Sequence, residues 1–218
     1  MKAVCLQTVV GLLIFCVASP MLLGQTQVQS SSSSKHPKSS LAHPKTELVP
    51  GVVVNGVYQN ASLSMSCKIP AGWVQRTEEM NARDENDAQG TTRGQVLLAV
   101  FSRPPNARGE DINSSILIAA EPQSAYPGLK DAVQYFGPLS EVAKAQGFDI
   151  DEEPYETVIG GKSLVRGDFQ KDVGTRVMHQ STLAFLANGY AISITTIGGT
   201  EDEVEQLVDG LSFSGSRK

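Results

Sequence analysis

Cysteine, histidine and clustered basic residues are all scarce in this chain, and each scarcity removes a class of function. Of three cysteines, Cys5 and Cys16 lie in an N-terminal apolar segment and only Cys67 lies beyond it, so the rest of the chain can form no disulfide within itself. Of three histidines, His36 and His43 sit in a Ser-rich stretch and His179 stands alone further on. One histidine and one cysteine are too few for a zinc or copper site without suitably spaced carboxylates. Asp84, Glu85 and Asp87 crowd together but lack the glycine and distal glutamate of a calcium loop. No Gly-rich phosphate loop follows an apolar run and no G-x-S-x-G sequence occurs, so no cofactor and no catalytic residue are expected.

Positive charge is sparse as well. Of 18 basic and 23 acidic side chains, Lys2, Lys35, Lys38, Lys45 and Glu47 precede Gly51, which leaves 14 against 22. Such a balance, with no basic run and no interleaved aromatics, argues against a nucleic-acid partner.

An unbroken apolar span of membrane length is also missing. Val4 to Leu23 is long enough to cross a bilayer, but Gln7, Thr8, Ser19 and Pro20 interrupt it. What remains is Lys2, an apolar run from Val9 to Val17, Pro20 and the small residue Gly24, the layout of a cleavable signal peptide over residues 1–24 with Gln25 as the new N-terminus. Cys16 follows Leu13, Ile14 and bulky Phe15, which does not suit lipoprotein processing. The expectation is an exported protein, periplasmic or extracellular, with no stable membrane insertion; the alternative is a membrane tether formed by an uncleaved N-terminal anchor. From Gln25 to Pro50 the chain is polar, with Ser30 to Ser34 unbroken and Pro37, Pro44 and Pro50 spaced through it, which predicts a disordered Ser/Pro-rich tether.

Residues 51–218 read as one domain, long enough to bury a core without disulfide or metal. Val52 to Tyr58 and Leu63 to Ile69 are β-like, and Pro70-Ala71-Gly72 ends the second before Trp73. The stretch from Arg76 to Arg93 has no hydrophobic period and predicts a charged loop with a helical turn. Val96 to Phe101 and Ile116 to Ala120 are continuous apolar runs of buried strands. Leu129, Ala132, Val133 and Phe136, then Leu139, Val142 and Ala143, recur at helical spacing, with Pro138 between them predicting two segments or a sharp kink. A strand ending at Ile159, then Ser163 to Phe169 and Thr175 to Leu186, follow in hairpin order; Asn188-Gly189 is a type I′ turn signal. Thr200 and Glu203 form a capping box ahead of the stripe Val204, Leu207, Val208 and Leu211. The pattern predicts an α+β fold, an antiparallel β-sheet flanked by helices in an α/β/α-type sandwich.

Several stretches carry a resemblance: Tyr58-Gln59-Asn60 leading into Leu63 to Ile69, Pro70-Ala71-Gly72-Trp73, Ile159-Gly160-Gly161-Lys162, Arg166-Gly167-Asp168-Phe169, Gly189-Tyr190-Ala191-Ile192 and the closing Glu201 to Phe213. In that order they resemble the PsbP-like superfamily, which includes the extrinsic P subunit of photosystem II, Mog-type Ran-binding factors and uncharacterised exported bacterial proteins. The resemblance implies a single antiparallel sheet covered by helices and an accessory, docking or assembly role. It brings no functional residue with it.

One polar cluster can be built from the residues themselves. If Gln170 lies opposite Thr175, then Arg166 faces His179, Asp168 faces Val177 and Leu164 faces Ser181, so Arg166, Asp168, His179 and Ser181 share one face. Two functions are carried forward. The first is a non-catalytic accessory domain binding another envelope or extracellular protein through a sheet face or the segment from Arg76 to Arg93. The second is a small-molecule-binding or hydrolytic domain using a cleft near Arg166, Asp168 and His179. Cys67, on the Leu63, Met65, Cys67, Ile69 face, is expected to be a core residue.

Overall fold

The structure, a computed structural model, describes residues 48–87, 94–104, 107 and 112–214. The segment expected to be a signal peptide, most of the expected tether with His36 and His43, and residues 88–93 of the Arg76 to Arg93 segment lie outside the described residues. Two antiparallel sheets and three helices make up the rest. A small sheet runs in the order β1-β2-β3-β11, formed by Val52–Val54, Val57–Asn60, Met65–Lys68 and Leu211–Phe213. A seven-stranded sheet runs β4-β5-β6-β10-β9-β8-β7, formed by Val74–Gln75, Gln95–Phe101, Ser115–Pro122, Tyr190–Gly198, Arg176–Ala187, Lys162–Val173 and Asp149–Ile159. The α+β class holds, but the expected single sheet is two.

The small sheet gains its outermost strand from a local turn. Val52 to Tyr58, read as one strand, is a hairpin, because Asn55 and Gly56 both take positive φ and turn Val54 back onto Val57. Asn188 and Gly189 do the same between β9 and β10.

Alternation then sorts side chains to the two faces of the large sheet. On one face Leu98, Val100, Ile116, Ile118, Leu164, Leu183, Ile192 and Ile194 pack against Tyr58, Met65, Cys67, Leu207, Val208 and Phe213, so the small sheet and helix α3 (Glu201–Asp209) cover it. Trp73 packs at the margin of this cluster. On the other face Val165, Phe169, Ala184 and Ala191 meet Tyr135, Phe136, Leu139 and Ala143 of helix α2 (Ala132–Ala145). Pro138 sits inside α2, which is one continuous helix rather than two segments. Its buried stripe includes Tyr135, and Val133, read as core-facing, is exposed.

The segment after Arg76 holds an eleven-residue helix, α1 (Thr77–Asp87), where a loop with one helical turn was expected. Its contact with the sheet is largely polar, which hid it from a hydrophobic-period test. Asn60, part of an Asn-x-Ser sequence, is buried and bonded to Tyr58, Val49 and Leu63, which leaves no room for a sugar.

Candidate functional site

The hairpin carrying the predicted polar cluster closes more tightly than expected. Val173 pairs with Arg176, so Gln170 stands opposite His179, Asp168 opposite Ser181 and Arg166 opposite Leu183. The register differs from the expected one by an even number of residues, so the shared face survives while every cross-strand pair changes. Arg166, Asp168, His179 and Ser181 all lie on the face that α3 covers.

Arg166 organises the site. Its guanidinium donates to both carboxylate oxygens of Asp168 at 3.0 to 3.1 Å, two residues along β8. It also donates to both oxygens of Glu205 on α3, Nη1 to Oε2 at 3.1 Å and Nη2 to Oε1. Burial alone would lower the Arg166 pKa, but the hydrogen bonds and charge of Glu205 and Asp168 outweigh it and hold the guanidinium above its ordinary value. Tyr155 on β7 donates to Asp168 Oδ2 at 3.3 Å. Its own pKa is raised by burial and by the Asp168 charge.

His179 stands apart from this network. Its Nδ1 is 4.0 Å from Glu201 Oε1 at the start of α3, an ion pair only when the imidazole is protonated. Ser181 is fully buried and its hydroxyl has no hydrogen-bond partner. His179 and Ser181 are two residues apart on one strand, which separates their side chains by roughly 7 Å. A serine nucleophile needs its base within hydrogen-bond reach and access to solvent. Neither condition is met.

Between β7, β8, β9 and α3 runs a groove of about 220 Å³ lined by Asp151, Glu152, Asp168, Glu201, Asp202 and Glu205, with Arg166 and His179 as its basic members. The groove is therefore acidic, and any charged ligand suited to it is a cation. Sequence reasoning found Arg166, Asp168 and His179 but missed Glu201 and Glu205. Their spacing of four residues, which puts both on one side of α3, was the available signal. Among the described residues no group of three or more His, Cys, Asp or Glu is arranged to hold a metal ion, and no helix is long and apolar enough to cross a membrane.

A second polar cluster lies on the opposite face. Tyr126 and Tyr135 both donate to Glu121 Oε2, the latter at 2.8 Å, and their rings meet edge to face at 5.2 Å. Burial first, then the Glu121 charge, pushes both phenols far above their ordinary value. This arrangement fastens the connection between β6 and α2 to the sheet. Cys67 is likewise buried, and burial pushes its thiol up to about 12.

No family model matches the chain and no curated protein matches it in sequence. Among solved structures it is similar to cyanobacterial PsbP (CyanoP) from Synechocystis sp. PCC 6803, with 16% identity over 77% of this chain and 98% of that one and a TM-score of 0.46. It is also similar to PA94 from Pseudomonas aeruginosa, described as a protein of unknown function and putative regulator, with 15% identity, coverage of 72% and 88%, and a TM-score of 0.34. LpqN of Mycobacterium tuberculosis, described as involved in cell envelope biogenesis, shares 12% identity with coverage of 69% and 83% and a TM-score of 0.35. These likenesses concern the fold alone, and no residue role comes with them. The chain is similar in fold, at low identity, to PsbP.

Proposed function

We propose that this is a non-catalytic accessory domain of the cell envelope, exported by the signal at residues 1–24 and binding another protein, with residues 25–50 giving it reach. The observation that carries this reading is the internal closure of the polar cluster. Arg166 is spent on Asp168 and Glu205, Ser181 is buried with its hydroxyl unbonded, and Ser181 and His179 do not meet. An extensive packed core, with the polar cluster among the described residues closed on itself, suits a docking role. A crosslinked pull-down of tagged residues 25–218 from the native host tests it. The expected result is one stoichiometric partner, lost when residues on one face are changed; no enrichment over a tag-only control would overturn it.

A second reading rests on the acidic groove, which has the size and charge for a small organic cation. A thermal shift with spermidine or arginine that disappears in Glu205→Gln would favour it.

A further inference from the structure

Among the described residues, the outer side of β5 is covered by a strand only at its end. β4 pairs only with Phe101 and Val100, so from Ala99 back to Val96 the edge of the large sheet would present open peptide groups. Helix α1 closes them instead. The Arg76 N–H donates to the Ala99 carbonyl at 2.8 Å, and the Ala99 N–H donates to Thr77 Oγ1 at 2.9 Å. The Val96 N–H donates to Asn81 Oδ1 and Asn81 Nδ2 donates to the Val96 carbonyl, both at 2.9 Å.

The geometry shows how a helix can do a strand's work. The register of β5 shifts between Val96 and Leu98, so Val96 and Ala99 both turn outward across a bulge that fits three residues into the space of two. Two strand residues span roughly 6.7 Å, and the four-residue step from Thr77 to Asn81 rises about 6 Å along a helix. The Asn81 carboxamide is chemically a peptide group, and it both gives and takes a hydrogen bond at Val96 as an antiparallel neighbour would.

Apolar burial adds little to this attachment over residues 77–82. Among its residues 77–82 only Met80 is a buried apolar side chain, seated among Val96, Ala99, Phe101, Leu117 and Ala119. Helices α2 and α3 each bury several apolar side chains. Elements with few buried apolar contacts open first.

Resting on the reading of the domain as a protein-binding module, we propose that α1 is a displaceable stand-in for an edge strand. When it leaves, β5 accepts an extended segment of the partner protein, hydrogen-bonded at Val96 and Ala99, with an apolar side chain in the place of Met80. The chemistry of the edge selects this occupant: two outward peptide groups want a backbone, and the Met80 niche wants one apolar side chain.

Native-state amide exchange on residues 25–218 tests the idea. The Val96 and Ala99 amides are expected to exchange at least tenfold, roughly, faster than those of Ile118 and Ile194, with little response to low denaturant. Asn81→Leu should accelerate these two further and leave the core amides unchanged. In that variant, a short lysine-flanked peptide alternating threonine and valine around a central methionine should slow both amides again, and the same peptide with a central proline should not. Exchange of Val96 and Ala99 at the core rate, or no protection by the methionine peptide, overturns the proposal. Either failure leaves the pull-down result standing, so the two readings fall separately.

Discussion

Arg166 on β8 reaches across to Glu205 on α3 with two parallel hydrogen bonds, and the helix is thereby fastened to the sheet by one guanidinium as well as by its apolar stripe. Glu205 is half exposed whereas Arg166 and Asp168 are mostly covered. Removing the charge at each end should therefore have unequal effects. Arg166→Ala strands a partly buried Asp168 and is expected to cost about 2 kcal/mol, whereas Glu205→Gln should cost under about 1 kcal/mol. Urea unfolding of the two variants checks the order.

Ser181 offers the opposite sign. Its hydroxyl is buried with no partner, so Ser181→Ala removes a desolvated polar group and should leave stability unchanged or raise it by up to about 1 kcal/mol. A marked loss of stability on thermal unfolding would show that the hydroxyl has a bonding role.

Cys67 makes stability depend on alkali. Its thiol is raised from 9.0 to about 12 by burial, so the folded protein keeps a proton that the unfolded chain releases. The contribution is complete below about pH 9 and is lost as pH rises through the folded value, amounting to roughly 1.4 kcal/mol by pH 10. Cys67→Ala should flatten the fall in unfolding free energy between pH 8 and pH 10 by about that amount. The native thiol should also resist a maleimide at pH 7.

Two adjacent glycines should respond differently to the same change. At Gly160, φ is +57° and an added Cβ would stand 2.6 Å from the Phe213 carbonyl oxygen, which is backbone and cannot swing aside. At Gly161, φ is +80° but the space is open. Gly161→Ala is expected to cost about 1 to 2 kcal/mol for the left-handed conformation, and Gly160→Ala at least about 2 kcal/mol more because β11 must shift. Comparison of melting temperatures decides it.

Processing is checked by mass. The protein recovered outside the cytoplasm should begin at Gln25, and a species that still carries Met1 to Gly24 would replace the exported reading by a membrane-tethered one.

Much of this fold was legible because its signals are local. The Thr200 cap does accept from the Glu203 N–H, and the Glu203 carboxylate returns a bond to the Gly199 N–H rather than to that of Thr200. Asn188-Gly189 announced its hairpin, whereas Asn55-Gly56 carried the same signal inside an apolar run and was read through. The cross-strand pairs of β8 and β9 differ from the expected ones because the turn lies at Gly174 and Thr175 rather than at Lys171 to Gly174, yet period-two alternation keeps the same residues on one face. Helix α1 was hidden because, among its described residues, Thr77, Asn81 and a single methionine meet the sheet. The partners of Arg166 were out of reach for a plainer reason: Glu205 is 39 residues away, and nothing in a strand pattern says which helix will settle over it.

The small sheet joins the two ends of the described chain, since Met65 on β3 pairs with Phe213 on β11. A polypeptide made or threaded from its N-terminus therefore holds β1, β2 and β3 for a long interval before the strand that completes them arrives. Until Leu211 to Phe213 emerge, Tyr58, Met65 and Cys67 lack part of their apolar cover. Contacts this distant in sequence are slow to close. The small sheet is thus incomplete until residues 211–213 are present and its edge strand closes over β3.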